Sequence, residues 1–203
     1  MGIVWWGMWV WGQLSLAAEG GIGAIHRVPV ARPLTWEATF TPKKGERRTP
    51  GPYGWAGLLL RYASGPKTFL EVGLGMRGFV LRANGLEETH LQVNLPLRGG
   101  IRLKDSEKPW WLWIGLSSSV QLHAESSPRV SGVYRFADYF ARSQLHLQTG
   151  IERSFSVRWQ GGIGAGWDIS SAWDRGLFRS SRSLPHHLWV YPYLRYRLWA
   201  ERG

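Results

Sequence analysis

The sequence predicts an all-β protein, namely an eight-stranded antiparallel up-and-down transmembrane β-barrel. Three observations support this prediction. Apolar residues alternate with polar or small residues in segment after segment, which is the period of a β-strand and not of a helix. Short and long connections separate these segments in near-alternation, as in membrane barrels. The polar positions hold Gly, Gln, His and Arg, whereas Lys is almost absent from the segments and lies in the connections.

The composition is typical of a folded protein, and its positive net charge favours binding to an anionic partner or surface. Of 203 residues, 44% are hydrophobic, which is too many for a disordered chain, and 14 are Trp, a residue that favours boundaries between apolar and wet surroundings. The formal net charge of +11 suits a membrane surface or nucleic acid. Because the basic residues are dispersed through the strands, no nucleic-acid partner is expected. The absence of cysteine excludes disulfides, thiolate metal sites and a cysteine nucleophile.

Residues 1–18 predict a signal peptide, which leaves residues 19–203 as the barrel domain. Residues 3–16 form an apolar run with one Gln and no charge, shorter than the roughly 20 residues of a transmembrane helix. Residues 15 and 17 are small, as the cleavage site of signal peptidase requires, so cleavage after Ala17 or Ala18 is expected. A buried first strand or helix is the alternative. Past Ala18 no apolar run reaches about 18 residues, so a lipid-spanning fold must be a closed barrel.

Eight segments are predicted to be strands, and all but the second have apolar side chains on one face and polar or small ones on the other. In the first, Leu34, Trp36, Ala38 and Phe40 alternate with threonines and one glutamate. The second is apolar on both faces, so the pattern does not fix its register. In chain order the segments are 34–41, 53–63, 70–80, 90–98, 110–123, 144–152, 157–168 and 188–198.

The connections fall into two lengths, which predicts two different ends of the barrel. Membrane barrels have short turns on the periplasmic side and longer loops outside, whereas a soluble barrel has no comparable reason to sort its loops. The short connections are 64–67, 83–88, 104–108 and 153–155, and the long polar ones are 42–52, 125–138 and 170–186.

The two strand faces predict a barrel with polar side chains inside and apolar side chains outside. Glycine on the polar face makes room for large side chains from opposite strands, whereas on a solvated face it only weakens a strand. Aromatic residues on the apolar face are expected in interface girdles, namely Trp36, Trp110, Trp159, Trp167 and Tyr196. Five others on the polar face either plug the lumen or lie above the bilayer, namely Trp111, Trp113, Trp189, Tyr191 and Tyr193.

Residues 89–98 (THLQVNLPLR) resemble the "YLEIPLLLKY" strand of PorT-like bacterial outer-membrane β-barrel proteins. The apolar positions and Arg98 match, Gln92 stands where Glu is usual, and the proline comes two residues later, at Pro96. Residues 111–120, 147–167 and 193–198 are similar to the family's next strand, its glycine-rich hairpin and its terminal strand. The resemblance covers roughly residues 34–200, and residues 199–203 extend past the usual final aromatic. It implies an eight-stranded outer-membrane barrel with a periplasmic N terminus, near secretion or envelope machinery.

Polar residues on the inward face predict a lumenal charge network, because unpaired buried charge is costly. Replacing Arg158 by leucine is accordingly expected to destabilise the protein. The predicted members of the network are Glu71, Arg77, Gln92, Arg98, Glu152, Arg158, Asp168, Arg195 and Arg197.

The densest basic run lies in the connection 42–52 and has two interpretations. It is either a solvated turn or a contact with the phosphates of lipopolysaccharide, which Lys and Arg bind by charge and hydrogen bonds. Its residues are Lys43, Lys44, Arg47 and Arg48.

No catalytic residue, metal site or cofactor is predicted. The histidines lack HxxxH or HExxH spacing, and a lumenal hydrogen-bond cluster that includes His90, His123 and His146 is the simpler account. Ser117 or Ser119 with His90 or His123 would face the lumen, which is wrong for acyl-chain chemistry. The glycines of 161–166 lack the GK[ST] ending of a phosphate loop.

These features predict a small protein of the cell outer membrane with a filled polar lumen. An eight-stranded interior is only wide enough to be filled by side chains, so a structural or interaction role is expected and a pore is not. Its expected partners are outer-membrane lipid, lipopolysaccharide and an envelope protein. Two alternatives stay open, namely a soluble periplasmic β-barrel that binds a small apolar ligand and a lipid-modifying outer-membrane enzyme.

Overall fold

The structure is a closed barrel of eight antiparallel strands. A computed structural model describes residues 13–28, 50–83, 86–103, 107–127, 141–170 and 186–200. Each strand pairs with its neighbours in sequence, and the first pairs with the last. The predicted fold class is therefore confirmed. The strands are β1 (Gln13–Val28), β2 (Gly51–Ala63), β3 (Thr68–Ala83), β4 (Leu86–Arg102), β5 (Trp110–Ser127), β6 (Ser143–Ser154), β7 (Trp159–Asp168) and β8 (His186–Ala200). The described part of the chain contains no helix able to cross a membrane.

The first strand differs from the prediction. It is β1, and the predicted segment 34–41 lies outside the described residues. In β1 the side chains of Glu19 and Ile25 are buried, whereas Ile22 is 77% exposed. Buried and exposed side chains therefore alternate along β1 as they do along the other strands. The signal peptide stays a prediction, and a cut after Ala18 would remove the first six residues of β1, 13–18, with their pairing to β2 and β8.

The two ends of the barrel differ in the length of their connections. One end holds the start of β1, the end of β8 and the connections 64–67, 103–109 and 155–158, and we call it the short-turn end. At the turn 64–67, Gly65 has a φ of 146°, which favours glycine. The opposite, long-loop end holds the connections 29–50, 84–85, 128–142 and 169–185. The predicted sorting of loop lengths is thus present, with one short connection at the long-loop end.

The barrel surface is apolar and its interior is polar. On β3, Leu70, Val72 and Leu74 are each more than half exposed, whereas Glu71 and Arg77 are 1% exposed. The other strands follow the same rule. In water such a surface would be strongly disfavoured, but in hydrocarbon it is the favourable arrangement. The prediction that this barrel is inside out relative to a soluble one is confirmed, and the soluble-barrel alternative, which needs an apolar interior, is wrong.

Exposed aromatic residues lie near the two ends of the strands. Trp110 and Trp159 begin β5 and β7, and Trp199 lies near the end of β8, so all three are at the short-turn end, while Trp167 is near the long-loop end. The ring of Tyr196 packs against Trp159 with centroids 4.8 Å apart. These positions correspond to the interface girdles of membrane barrels. Trp36 lies outside the described residues.

Large aromatic side chains fill the lumen where glycines make space for them. Trp113, Trp189, Tyr191 and Tyr193 are at most 3% exposed, which decides between the two interpretations of the inward aromatic residues. A Cβ atom built on Gly164 would lie 2.6 Å from Cζ of Tyr191, and Gly150 and Gly166 face Trp113 and Trp189 in the same way. Glycine on the polar face therefore has the packing role that the sequence predicted.

The substitution Gly164→Ala tests this packing. We expect it to lower the free energy of unfolding by about 1–3 kcal/mol, because the added methyl group overlaps the Tyr191 ring. The matched control is Gly54→Ala on the outer face, where the nearest atom is 4.0 Å away and little change is expected. Urea unfolding of the protein in detergent micelles, followed by tryptophan fluorescence, measures both. Equal stability of the two variants would contradict the packing argument.

Candidate functional site: the polar lumen

Six buried charged residues form a cluster in the half of the lumen nearer the short-turn end. They come from β1, β2, β3, β4, β6 and β8, and none is more than 8% exposed. Three are carboxylates and three are guanidinium groups, so their formal charges cancel. We call them the Glu–Arg cluster, and its members are Glu19, Arg61, Glu71, Arg98, Glu152 and Arg195.

Glu19 is the acceptor that holds the largest part of this cluster. Arg98 donates to both of its oxygens, from Nη1 to Oε2 at 2.9 Å and from Nη2 to Oε1 at 3.0 Å. Arg195 donates to Oε2 at 2.6 Å from Nη2, and the indole N–H of Trp55 donates to Oε1 at 2.8 Å. Two positive charges and one neutral donor therefore depend on a single carboxylate of β1.

The remaining members close the cluster. Arg61 donates to Glu71 from Nε at 2.9 Å and to Glu152 from Nη2 at 2.8 Å. Arg195 reaches Glu71 at 2.9 Å, and the hydroxyl of Tyr193 donates to Glu152 at 3.0 Å. Because six of the eight strands contribute a charge, the cluster ties them together across the lumen. Buried ion pairs of this kind specify one arrangement, and breaking one is strongly destabilising.

Aromatic rings contact this cluster and the polar residues beyond it. The guanidinium of Arg98 lies 4.5 Å from the ring centroid of Trp113, whose N–H donates to the hydroxyl of Tyr193 at 2.9 Å. Farther along the lumen, the guanidinium of Arg77 lies 4.9 Å from the ring of Trp189. Cation–π contacts of this kind are favourable in desolvated surroundings. The lumen is thus occupied by alternating charged and aromatic groups.

A second polar group, the His146 cluster, surrounds His146 toward the long-loop end. His146 contacts Asp168 through Nδ1 at 2.8 Å, and its Nε2 lies 2.7 Å from Oγ of Ser119 and 2.9 Å from Nη2 of Arg77. Arg77 also donates to Gln92. Asp168 accepts a further bond, from the backbone N–H of His187 at 2.9 Å. We define the His146 cluster as Arg77, Gln92, Ser119, His146, Asp168 and His187.

Ser119, His146 and Asp168 are connected as the hydroxyl, imidazole and carboxylate of a serine hydrolase are connected. Arg77 changes what this arrangement can do. A guanidinium only donates, so the single lone pair on Nε2 of His146 is shared between Arg77 and the Ser119 hydroxyl. The Ser119 hydroxyl has an alternative acceptor in Gln92, at 3.1 Å. All three residues of the arrangement are at most 1% exposed, so the geometry favours a structural hydrogen-bond network.

The structure distributes the predicted lumenal residues over several places. Glu71, Arg98, Glu152 and Arg195 are in the Glu–Arg cluster, Arg77, Gln92 and Asp168 are in the His146 cluster, and Arg197 is half-buried near the short-turn end. The prediction for Arg158 is wrong. β7 begins at Trp159, so Arg158 lies in the turn 155–158, exposed, where it donates to the Tyr196 hydroxyl at 3.0 Å. Lys43, Lys44, Arg47 and Arg48 lie outside the described residues.

His123 also differs from its predicted inward position. It is 57% exposed and pairs with Glu125, because a register shift between Leu91 and Gln92 in the β4–β5 pairing moves Gln121 opposite Gln92 and His123 opposite Leu91. An irregularity of this kind reverses which side chains face inward beyond it. His123 therefore does not face the serines with which the sequence analysis paired it, and Ser119 meets His146.

Two members of the Glu–Arg cluster, Glu19 and Arg61, are absent from the sequence-based set. Glu19 lies just past the predicted cleavage point, and Arg61 belongs to the segment whose register the pattern left open. A signal for Glu19 exists in β1, where Ala17, Glu19, Gly21 and Gly23 occupy one face and repeat the combination of glycine with charge seen in β3. Within the described residues, no group of three or more His, Cys, Asp or Glu is arranged to hold a metal ion.

Comparison with known proteins finds the fold but no family. No family model matches the chain, and no curated protein matches. Neisserial surface protein A shares 9% identity with a TM-score of 0.54, over 91% of this chain and 99% of that protein. The fold is that of an outer-membrane β-barrel. Ail of Yersinia pestis, in complex with the heparin analogue sucrose octasulfate, gives 6% identity and a TM-score of 0.47, over 92% of this chain and 97% of Ail. OprG from Pseudomonas aeruginosa shares 11% identity with a TM-score of 0.40, over 92% of this chain and 96% of OprG.

A barrel of this fold with an apolar outer surface and aromatic girdles near its strand ends is a protein of the outer membrane. The strands have 10 to 18 residues, and about 9–11 suffice to cross a bilayer, so the longest strands extend beyond it.

The substitution Glu19→Gln tests the Glu–Arg cluster. It leaves Arg98 and Arg195 buried with one fewer counter-charge, so we expect the free energy of unfolding to fall by about 3–5 kcal/mol. The control is Glu87→Gln, which removes one partner of an exposed pair with Arg82 at 2.8 Å and should cost at most about 1 kcal/mol. Thermal unfolding in micelles, followed by circular dichroism, compares them. A Glu19 variant as stable as the Glu87 variant would show that the cluster does not hold the barrel together.

Proposed function

We propose that this protein is a small outer-membrane barrel with a filled lumen, a structural or interaction component of the envelope and not a pore. The observation that supports this most directly is the filling of the lumen. The rings of Trp113, Trp189 and Tyr191 and the guanidinium groups of Arg77 and Arg98 are at most 2% exposed. These packed and hydrogen-bonded side chains of the described strands occupy the space that is a water-filled channel in porins, which supports a role other than a pore.

The orientation of the barrel determines which surface meets a partner. Short turns lie in the periplasm in bacterial barrels and longer loops lie outside. We infer that the short-turn end is periplasmic and that the loop containing Lys43, Lys44, Arg47 and Arg48 faces the outside, where it contacts lipopolysaccharide phosphates. The remaining long loops then present a surface to an envelope protein partner. A PorT-like relationship stays part of the proposal and rests on the strand motif at 89–98.

A lipid-modifying activity is the less favoured function. The arrangement of Ser119, His146 and Asp168 lies inside the barrel, whereas acyl chains lie against its outer surface. Arg77 also donates to the nitrogen that would accept the serine proton. We therefore propose no catalytic role for these residues.

Liposome swelling tests the absence of a pore. We expect liposomes that contain the refolded protein to swell no faster in an isosmotic arabinose solution than empty liposomes, because the lumen is filled. A 16-stranded porin at the same protein-to-lipid ratio is the positive control. Swelling at a rate comparable to the porin would overturn the non-pore proposal.

Lipopolysaccharide binding tests the basic loop. Replacing Lys43, Lys44, Arg47 and Arg48 together by glutamine should weaken binding to lipopolysaccharide in surface plasmon resonance by at least about tenfold, since each lost charge contributes a fraction of a kcal/mol. The matched control removes four exposed charges at the short-turn end, Lys67, Lys108, Arg153 and Arg158. Equal weakening in both variants would indicate attraction by net charge alone.

A further inference from the structure

A cavity of about 230 Å³ lies at the short-turn end of the lumen. The first residues of β1, the turn at Gly65 and Pro66, Phe69 and Trp111 line it, together with two arginines, Arg61 and Arg197. Arg61 belongs to the Glu–Arg cluster, so the cavity lies directly against that cluster. It is smaller than the roughly 300–1,000 Å³ of sites for drug-sized ligands. Its size therefore suits a small charged group.

Arg197 is the cation in this cavity that the rest of the interior does not neutralise. Among the described residues, no carboxylate lies within ion-pair distance of its guanidinium, and its backbone N–H donates to the carbonyl of Arg158 at 2.8 Å. The second arginine of the cavity, Arg61, pairs with Glu71 and Glu152. Glu152 already accepts from Arg61 at 2.8 Å and from Tyr193 at 3.0 Å.

Among the described residues, the formal charges around the cavity have an excess of positive charge. The Glu–Arg cluster has three carboxylates and three guanidinium groups, so it is neutral without Arg197. Exposed basic residues surround the same end of the barrel, and Glu107 is the exposed acidic residue described there. These basic residues are Lys67, Lys108, Arg153 and Arg158. A buried or half-buried cation without a counter-charge is costly, and a bound anion removes that cost.

A free hydrogen-bond donor lies in the wall of the same cavity. The indole N–H of Trp111 is buried and has no hydrogen-bond partner within the described part of the chain. The Trp111 ring is held edge-on against Phe69, with centroids 5.5 Å apart, and Phe69 in turn stacks under the guanidinium of Arg61 at 3.7 Å. Buried polar groups are nearly always paired, so an unpaired donor that lines the same cavity as Arg197 indicates a missing acceptor.

We propose that this cavity binds an oxyanion group, a carboxylate or a phosphate, presented from the periplasmic side. Arg197 supplies the counter-charge and the Trp111 N–H supplies a hydrogen bond, and charge-assisted bonds to arginine are the strong ones. Arg61 keeps its bonds to Glu71 and Glu152 and adds a positive field. This site is separate from the outer loops and does not depend on the proposed contact with lipopolysaccharide. It rests on the proposed orientation of the barrel, and because Gln13, Leu14 and Ser15 line the cavity, it requires that β1 keeps its first residues.

The test follows the indole ¹⁵N–¹H signal of Trp111 in the full-length protein in a zwitterionic detergent. Trp111→Phe identifies the signal. Inorganic phosphate and acetate are titrated separately at constant ionic strength set by sodium chloride. We expect a saturable shift of the Trp111 signal with at least one of them, and an apparent affinity at least tenfold weaker in Arg197→Gln. Arg158→Gln removes a charge from the neighbouring exposed turn and should bind as the unchanged protein does.

The outcomes separate the sources of the anion and can overturn the proposal. A shift with phosphate alone indicates a phosphoryl ligand, and a shift with acetate alone indicates a carboxylate. If phosphatidylglycerol added to the micelles produces the shift without added phosphate or acetate, the phosphate group comes from a lipid headgroup. No saturable shift with any of these, or an equal shift in Arg197→Gln, refutes the site. If Arg197→Gln does not refold, Arg197→Lys, which keeps the charge but loses the planar fork, should still bind more weakly.

Discussion

The constraint on which this structure depends is that backbone N–H and C=O groups have no partners in hydrocarbon. A sheet in lipid is stable only if it has no open edge, so β1 must pair with β8 as well as with β2. This closure turns the strand alternation into an inside and an outside. Most of the leucine, valine and isoleucine side chains of the strands then face lipid, and the polar side chains on the other face are confined to a narrow lumen.

Confinement in turn dictates how the charges are arranged. An eight-stranded barrel has little interior volume, so a buried glutamate or arginine must find its partner on another strand and not in water. Glu19 meets Arg98 and Arg195 because β1, β4 and β8 all face the same lumen. The large rings of Trp113 and Tyr191 fit because Gly150 and Gly164 stand opposite them. The filled lumen is thus a consequence of barrel size, and it is the observation on which the proposed role other than a pore rests.

In the proposed role, the two ends of the barrel are the surfaces that contact partners. The long-loop end carries most of the connecting chain, and the short-turn end carries the cavity beside Arg197. The two ends also differ in sequence, because the basic run at Lys43 belongs to the connection between β1 and β2, whereas Arg197 is half-buried in β8 and lines the cavity next to the Glu–Arg cluster. A loop suits a broad anionic surface, and a small cavity suits a single anionic group.

The sequence pattern was enough to predict seven of the eight strands, β2 to β8, the sorting of the connections and the face that each of Leu95, Gln92 and Arg98 occupies, because strand alternation is a local property of period two. The first strand, the limits of the strands and the side chains that meet across the lumen follow from the folded barrel. β1 begins within an apolar run that also fits a signal peptide, Arg158 lies in a turn, and His123 faces outward after a register shift. Ser119 meets His146, and Glu19 meets Arg98, because partners across a barrel depend on register and closure, which no local pattern specifies.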